Sequence, residues 1–248
     1  MLDPLEQIVD VPAIDDQRRF WNDWDAHFRE NQPLDPVSLK RCAKVLTWIS
    51  SLNLGTRQIL ELGCANGWLS SQLANYGHVT GIDLADEVIA RAKSRCPHID
   101  FRAGDILTMD LGDGTFDLAV SLETISCLPD QEKFIDALAR SLRSGGYLIM
   151  TTQNRFVFER LDSVAARAPG QIRKWVSRGE LKALLRPRFR VLRMETIVPT
   201  GHRGVLRFIN SYKLNAVWNF FGSPAQFEHI KEQVGFGQTI VVLARKAR

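Results

Sequence analysis

Glu61, Gly63, Ala65 and Gly67 fall in the run "ELGCANG", directly after the apolar stretch "QIL". Glycines at this spacing let the chain turn tightly and let backbone approach a ligand. The frame is not the G-x-G-x-x-G of dinucleotide-binding loops, because Ala65 and Trp68 stand where the second and third glycines belong. Asp83 follows 20 positions after Gly63, at the end of "HVTGID". A carboxylate there can accept both hydroxyls of a ribose. Asp105, in "FRAGDIL", can accept from an adenine amino group. Each alone is a common turn or cap residue. Together, at three successive strand ends, they describe a site for a ligand that contains a nucleoside.

Those residues must be held by strands and by the helices that follow them. Buried strands are expected at 58–63, 78–84, 99–105, 116–123 and 147–153. Helices are expected between them. One covers 37–51, with Asp35 as N-cap, Pro36 as first residue and an apolar face of Leu39, Ala43, Leu46 and Ile49. Others cover 67–77, closed by Gly77, then 85–96 and 130–146. This alternation predicts βαβ units and a Rossmann-like, seven-stranded, mostly parallel α/β sheet with helices on both faces. Ligands of such sheets bind at the carboxyl ends of the strands. Beyond 153, helices are expected at 156–168 and at 177–185, the second with a Ser177–Glu180 capping box. Late strands follow at 188–198 and 237–246, with a loop and two helices between them. The organisation expected is an N-terminal helical cap or lid over 1–54, a cofactor-binding core over 55–155, and substrate-side helices with the final strands over 156–248, including a C-terminal helical insertion.

With those elements in place, the chain resembles the class I S-adenosylmethionine-dependent methyltransferases. The resemblance runs through "ILELGCANGWLS", "VTGIDLADEVIARAK", "FRAGDIL", "FDLAVSLETISCLPD" and "LRSGGYLIMTTQNR", about residues 56–155. The subgroup it is nearest to makes ubiquinone by O-methylation, and "RKWVSRGELKALL" extends the likeness weakly. The resemblance implies S-adenosylmethionine as cofactor. By it Glu61, Gly63, Ala65 and Gly67 surround the methionine part, Asp83 holds the ribose and Asp105 the adenine edge. Leu84 and Ile106 flank the adenine, and Leu122 sits near the cofactor. The ubiquinone-type relatives carry a Glu-His pair, after an earlier Glu, that is tied to metal or base function. Here Glu123 matches the earlier Glu, and Ser126 and Cys127 replace the pair. No metal is expected.

Methyl transfer needs donor and nucleophile in line, and a base where the nucleophile is a hydroxyl. Glu123 and His202 are the candidates. Arg203, beside His202 in "PTGHRGVLR", can bind a carboxylate or phosphate in bidentate fashion. Trp24 and His27, in the aromatic "FWNDWDAHF", are expected on the substrate side of a water-excluding lid. Nothing near Cys127 would activate its thiol as a nucleophile.

Charge is divided unevenly along the 248 residues. Residues 1–150 hold 14 Lys and Arg against 22 Asp and Glu, and residues 151–248 hold 18 against 6. The basic C-terminal portion suits an acidic or lipid-linked small-molecule acceptor, and 155–175 could touch an anionic membrane. Nucleic acid is not expected, since the arginines are scattered and no binding motif is present. RNA or protein methylation, and a non-catalytic cofactor-binding partner, are the alternatives. The four cysteines form no C-x-x-C pair, no apolar run reaches membrane-spanning length, and the N-terminus lacks a signal-peptide pattern. A cytoplasmic protein is expected. Oligomeric state is not legible.

Overall fold

The computed structural model describes residues 11–30, 32–52, 57–162 and 164–247. The acidic start of the chain and the expected boundary at 54–55 lie outside them. Two helices come first, α1 (Ile14–Phe28) and α2 (Pro36–Ser51). The alternating core follows as β1 (Arg57–Leu62), α3 (Trp68–Leu73), β2 (Gly77–Asp83), α4 (Asp86–Arg95), β3 (Asp100–Ala103), β4 (Phe116–Leu122), α5 (Gln131–Ser141) and β5 (Leu142–Gln153). The remainder is α6 (Arg155–Phe158), α7 (Arg178–Leu185), β6 (Phe189–Pro199), α8 (Gly204–Ile209), α9 (Tyr212–Trp218), α10 (Pro224–Val234) and β7 (Gly237–Lys246).

The seven strands form one sheet in the order β3-β2-β1-β4-β5-β7-β6. β1 pairs in parallel with β2 on one side and β4 on the other, while β7 runs antiparallel to both β5 and β6. Strand order therefore reverses between β1 and β4. The turn after β1 and the turn after β4 diverge there to opposite faces and leave a crevice.

Alternation along the strands builds two cores. Ile59 faces one side with Leu118, Val120 and Ile149, under Val45 and Trp48 of α2 and Leu69 of α3. Leu60 and Leu62 face the other, under Phe134 and Leu138 of α5 and Leu181 of α7. Burying one such side chain is worth about 1.5–3 kcal/mol. With both faces covered, β1 is buried along almost its whole length, Glu61 included.

Several helix boundaries follow the local signals. Asp35 accepts from the Ser38 N–H and Pro36 opens α2, and Ser177 and Glu180 form a reciprocal capping box at α7. Other expectations need correction. The buried face of α2 is Ser38, Cys42, Val45, Trp48 and Ile49, whereas Leu39 is exposed. Gly77 belongs to β2 and not to the end of α3, because a side chain there would strike the Arg57 backbone. The expected helix over 156–168 is one short turn, α6; its segment bends back so that Val164 and Ala165 face the crevice. An amphipathic helix on a membrane at 155–175 therefore loses its helical basis. The insertion between β6 and β7 holds three helices where two are expected. No helix among the described residues is long and apolar enough to cross a membrane.

Candidate functional site

The loop after β1 is bent into its shape. Gly63 and Gly67 are left-handed, with φ of +76° and +78°, and Ala65 between them has φ of +45°. A Cβ on Gly63 would lie 2.1 Å from the Thr124 hydroxyl oxygen, so the loop presses directly on the turn after β4. A Cβ on Gly67 would lie 2.5 Å from the Phe101 ring of β3. A left-handed alanine is disfavoured by about 1–2 kcal/mol. The Ala65 N–H donates to Asp83 Oδ2 at 2.9 Å, which opposes that strain.

Asp83 is also an N-terminal anchor for α4, accepting from the Ala85 N–H at 3.0 Å. Burial raises its proton affinity above the usual carboxylate range, and those two backbone donors oppose the rise. Glu61, at the end of β1, is 2% exposed and accepts from the Ser70 hydroxyl of α3. Burial pushes its carboxyl up to about 8, against the Ser70 hydrogen bond, and the charge of Asp83 adds to the rise. Asp105 follows β3, where its carboxylate accepts from the Leu107 N–H at 2.9 Å and the Thr108 hydroxyl at 3.2 Å.

These groups border one cavity of about 530 Å³ at the carboxyl ends of β1, β2 and β4. Glu61, Gly63, Ala65, Asp83, Leu84, Asp105, Ile106 and Leu122 all line it. Gly67 does not; it turns the chain into α3 behind the loop. A groove of about 1110 Å³ lies at the opposite, amino ends of these strands, bordered by Gln58, His78 and Asp100.

Helix α1 roofs the cavity with Trp21, Trp24 and Asp25. It is tied to α4 by Asn22 Nδ2 donating to Asp86 Oδ1 at 2.9 Å and by Arg91 reaching Asp25 Oδ1 at 3.3 Å and Glu30 Oε1 at 3.2 Å. The opposite wall carries Phe158, Val164, Arg173 and Trp175.

Glu123 directly follows β4, with φ of +61°, and lines the cavity. Thr151 Oγ1 donates to Glu123 Oε1 at 2.9 Å, and Arg41 Nε stands 3.2 Å from the same oxygen. Oε2 is buried without a partner. Cys127 lies beside it, but burial pushes its thiol up to about 12, so it stays neutral at ordinary pH and is no nucleophile.

Three expected residues are elsewhere. His202 and Arg203 are exposed and face Asp162, at 3.6 and 3.8 Å, outside the cavity lining. The intervening turn 159–162 holds them there, since the His202 and Arg203 N–H groups both donate to the Arg160 carbonyl. His27 is exposed on α1, with Nδ1 2.7 Å from the Asp23 carbonyl oxygen, while Trp24 faces inward. Sequence reasoning missed Asp25, Arg41 and Arg173. Arg41 stands beside the buried Cys42 on α2, and with the correct helical face it could have been placed next to the sheet; the other two carry no local signal. Among the described residues no group of three His, Cys, Asp or Glu could hold a metal ion.

A methyltransferase-domain family model matches residues 60–150, the segment that carries the loop and both strand-end aspartates. A Coxiella burnetii ubiquinone biosynthesis O-methyltransferase is 27% identical over 207 residues, covering 73% of this chain and 86% of that one. A Mycolicibacterium smegmatis protein, named a probable S-adenosylmethionine-dependent methyltransferase, is 33% identical over 103 residues, which span 41% of this chain and 40% of that protein. The N-methyltransferase NodS from Bradyrhizobium japonicum, crystallised with S-adenosyl-L-homocysteine, shares the fold with a TM-score of 0.63 at 19% identity, over 94% of this chain and all of that one. Glycine loop, strand order and sequence relatives agree: residues 60–150 carry a methyltransferase domain of the S-adenosylmethionine-dependent kind.

Proposed function

We propose that the chain methylates a hydroxyl oxygen of a small acidic acceptor, bound against the Arg41, Arg173 and Trp24 side of the cavity. The observation that carries this reading is Glu123. It lines the cavity at the switch point, with one oxygen held by Thr151 and the other buried without a partner. A buried acceptor without a donor calls for a ligand hydroxyl or N–H.

The cavity volume lies within the range of small-molecule sites, about 300–1,000 Å³. Its residues fit the cofactor's chemistry. Asp83 and Asp105 keep acceptor capacity beyond their backbone bonds, for hydroxyl and amino donors. Glu61 sits at the glycine loop, where a cationic amino group would draw its carboxyl into the ionised form. Arg41 supplies the positive charge that a ligand carboxylate needs. When bound, S-adenosylmethionine supplies a methyl group made electrophilic by a cationic sulfur. Glu123 Oε2 would accept the hydroxyl proton of an acceptor whose oxygen is placed in line with that methyl group. Trp24 on the roof and Trp175 on the wall exclude water from that contact. Arg173, 5.5 Å from the centre of the Trp175 ring, keeps its charge on the acceptor side.

The C. burnetii relative's named role in ubiquinone biosynthesis supports oxygen as the target atom. Tritium transfer from labelled S-adenosylmethionine to a panel of phenolic acids and their neutral amides tests the reading. Labelled methyl ethers from the acids, lost on Glu123→Gln, support it; label in N-methyl products or RNA alone contradicts it.

A further inference from the structure

The methyl-donor site leaves one buried group on α1 unexplained. Asp25 is 2% exposed. Its Oδ1 takes Arg91, and that contact suffices to tie α1 to α4, together with Asn22 to Asp86 and Arg91 to Glu30. Its Oδ2 is buried with no partner, and the residue lines the cavity. Holding the roof down needs one oxygen; the second is left for a ligand.

Position decides what that ligand group is. Asp25 approaches from the roof toward the end of β2, where Asp83 approaches from the sheet. Asn22, on the same buried side of α1 as Asp25, bonds Asp86, three residues beyond Asp83, and Asp25 and Asp83 line the same cavity. A group that lies between two carboxylates must present two donors, and a ribose diol does so. We propose that Asp25 Oδ2 accepts a hydrogen bond from a ribose hydroxyl of the bound cofactor, opposite Asp83. Helix α1 is then part of the cofactor site and closes on it by direct contact. The inference rests on the cofactor reading above and adds to it a residue outside the strand-end pattern.

Isothermal titration of the full chain with S-adenosyl-L-homocysteine tests it. Asp25→Ala should weaken binding at least about tenfold, the worth of a hydrogen bond to a charged group. Asp25→Asn keeps an acceptor oxygen and should bind within about threefold of wild type. Asn22→Ala cuts a tie to α4 that leaves both Asp25 oxygens as they are, and should also stay within about threefold. The 2′-deoxy and 3′-deoxy analogues locate the hydroxyl. One of them should bind wild type as weakly as Asp25→Ala binds the parent ligand, and Asp25→Ala should lose nothing more on it. This arm reads the contact in the wild-type fold even if Asp25→Ala folds poorly. The inference is overturned if Asp25→Ala binds normally, or if Asn22→Ala weakens binding as much as Asp25→Ala does. If wild type itself binds no S-adenosyl-L-homocysteine, the cofactor reading fails with it, which is a separate and recognisable result.

Discussion

The Ala65 N–H donates to Asp83 Oδ2 across 2.9 Å, so the carboxylate that faces the cavity also holds the glycine loop in its left-handed shape. Loop and second strand are one device. Asp83→Ala removes the ligand acceptor and frees Ala65 and Ala85 together. It should weaken S-adenosyl-L-homocysteine binding by about 2–3 kcal/mol, read by isothermal titration, and lower the melting temperature of the free protein as well. An affinity equal to wild type would remove Asp83 from the site.

The device depends equally on what Gly63 lacks. A methyl group there meets Thr124 at 2.1 Å on a backbone with φ of +76°. Gly63→Ala should cost at least about 1–2 kcal/mol and lower the melting temperature by about 2–8 °C. A melting curve that superimposes on wild type would show that the loop and the turn after β4 are not in contact.

Glu61 makes stability depend on pH. Its carboxyl is at about 8 in the folded chain because it is buried, against an ordinary value of 4.5. The folded state therefore binds the extra proton between those values. The neutral form's contribution is complete below pH 4.5, declines as pH rises toward 8 and is absent above it. Glu61→Gln keeps an acceptor for Ser70 and carries no proton to lose. Urea melts at pH 5, 6.5 and 8 should show wild type losing stability relative to Glu61→Gln as pH rises. Parallel curves would place the Glu61 pKa near its ordinary value.

Glu123 and His202 give opposite expectations. Glu123→Gln should lower turnover at least about tenfold with S-adenosyl-L-homocysteine affinity within about threefold, the pattern of a lost base. His202→Ala should leave turnover within about twofold, because the imidazole is exposed beside Asp162 and away from the cavity. Steady-state kinetics on both variants decides, and a large loss with His202→Ala alone would move the base out of the cavity.

The parts of the fold legible in the sequence are those governed by short-range physics. β4 and β7 carry apolar runs, Asp35, Ser177 and Glu180 are caps, and the aspartates stand at strand ends. The illegible parts depend on distant packing. Residues 156–168 have helical spacing, yet Val164 and Ala165 are drawn to the cavity wall and Arg173 Nη1 donates to the Ala165 carbonyl, so the helix stops after one turn. Gln17, Asn22 and Asp25 form the buried side of α1 although all are polar, because they meet α4 and the cavity rather than a core. Hydrophobic periodicity points away from them. His202 looked catalytic through its glycine-flanked loop; the backbone bonds to Arg160 set it on the surface.

The crevice between β1 and β4 should hold S-adenosylmethionine. Isothermal titration of the wild-type chain with S-adenosyl-L-homocysteine, repeated with Asp83→Ala, tests it most directly. Saturable binding at one site per chain, weakened in the variant, is the predicted result; no heat of binding at millimolar ligand, or equal binding by both proteins, would contradict it.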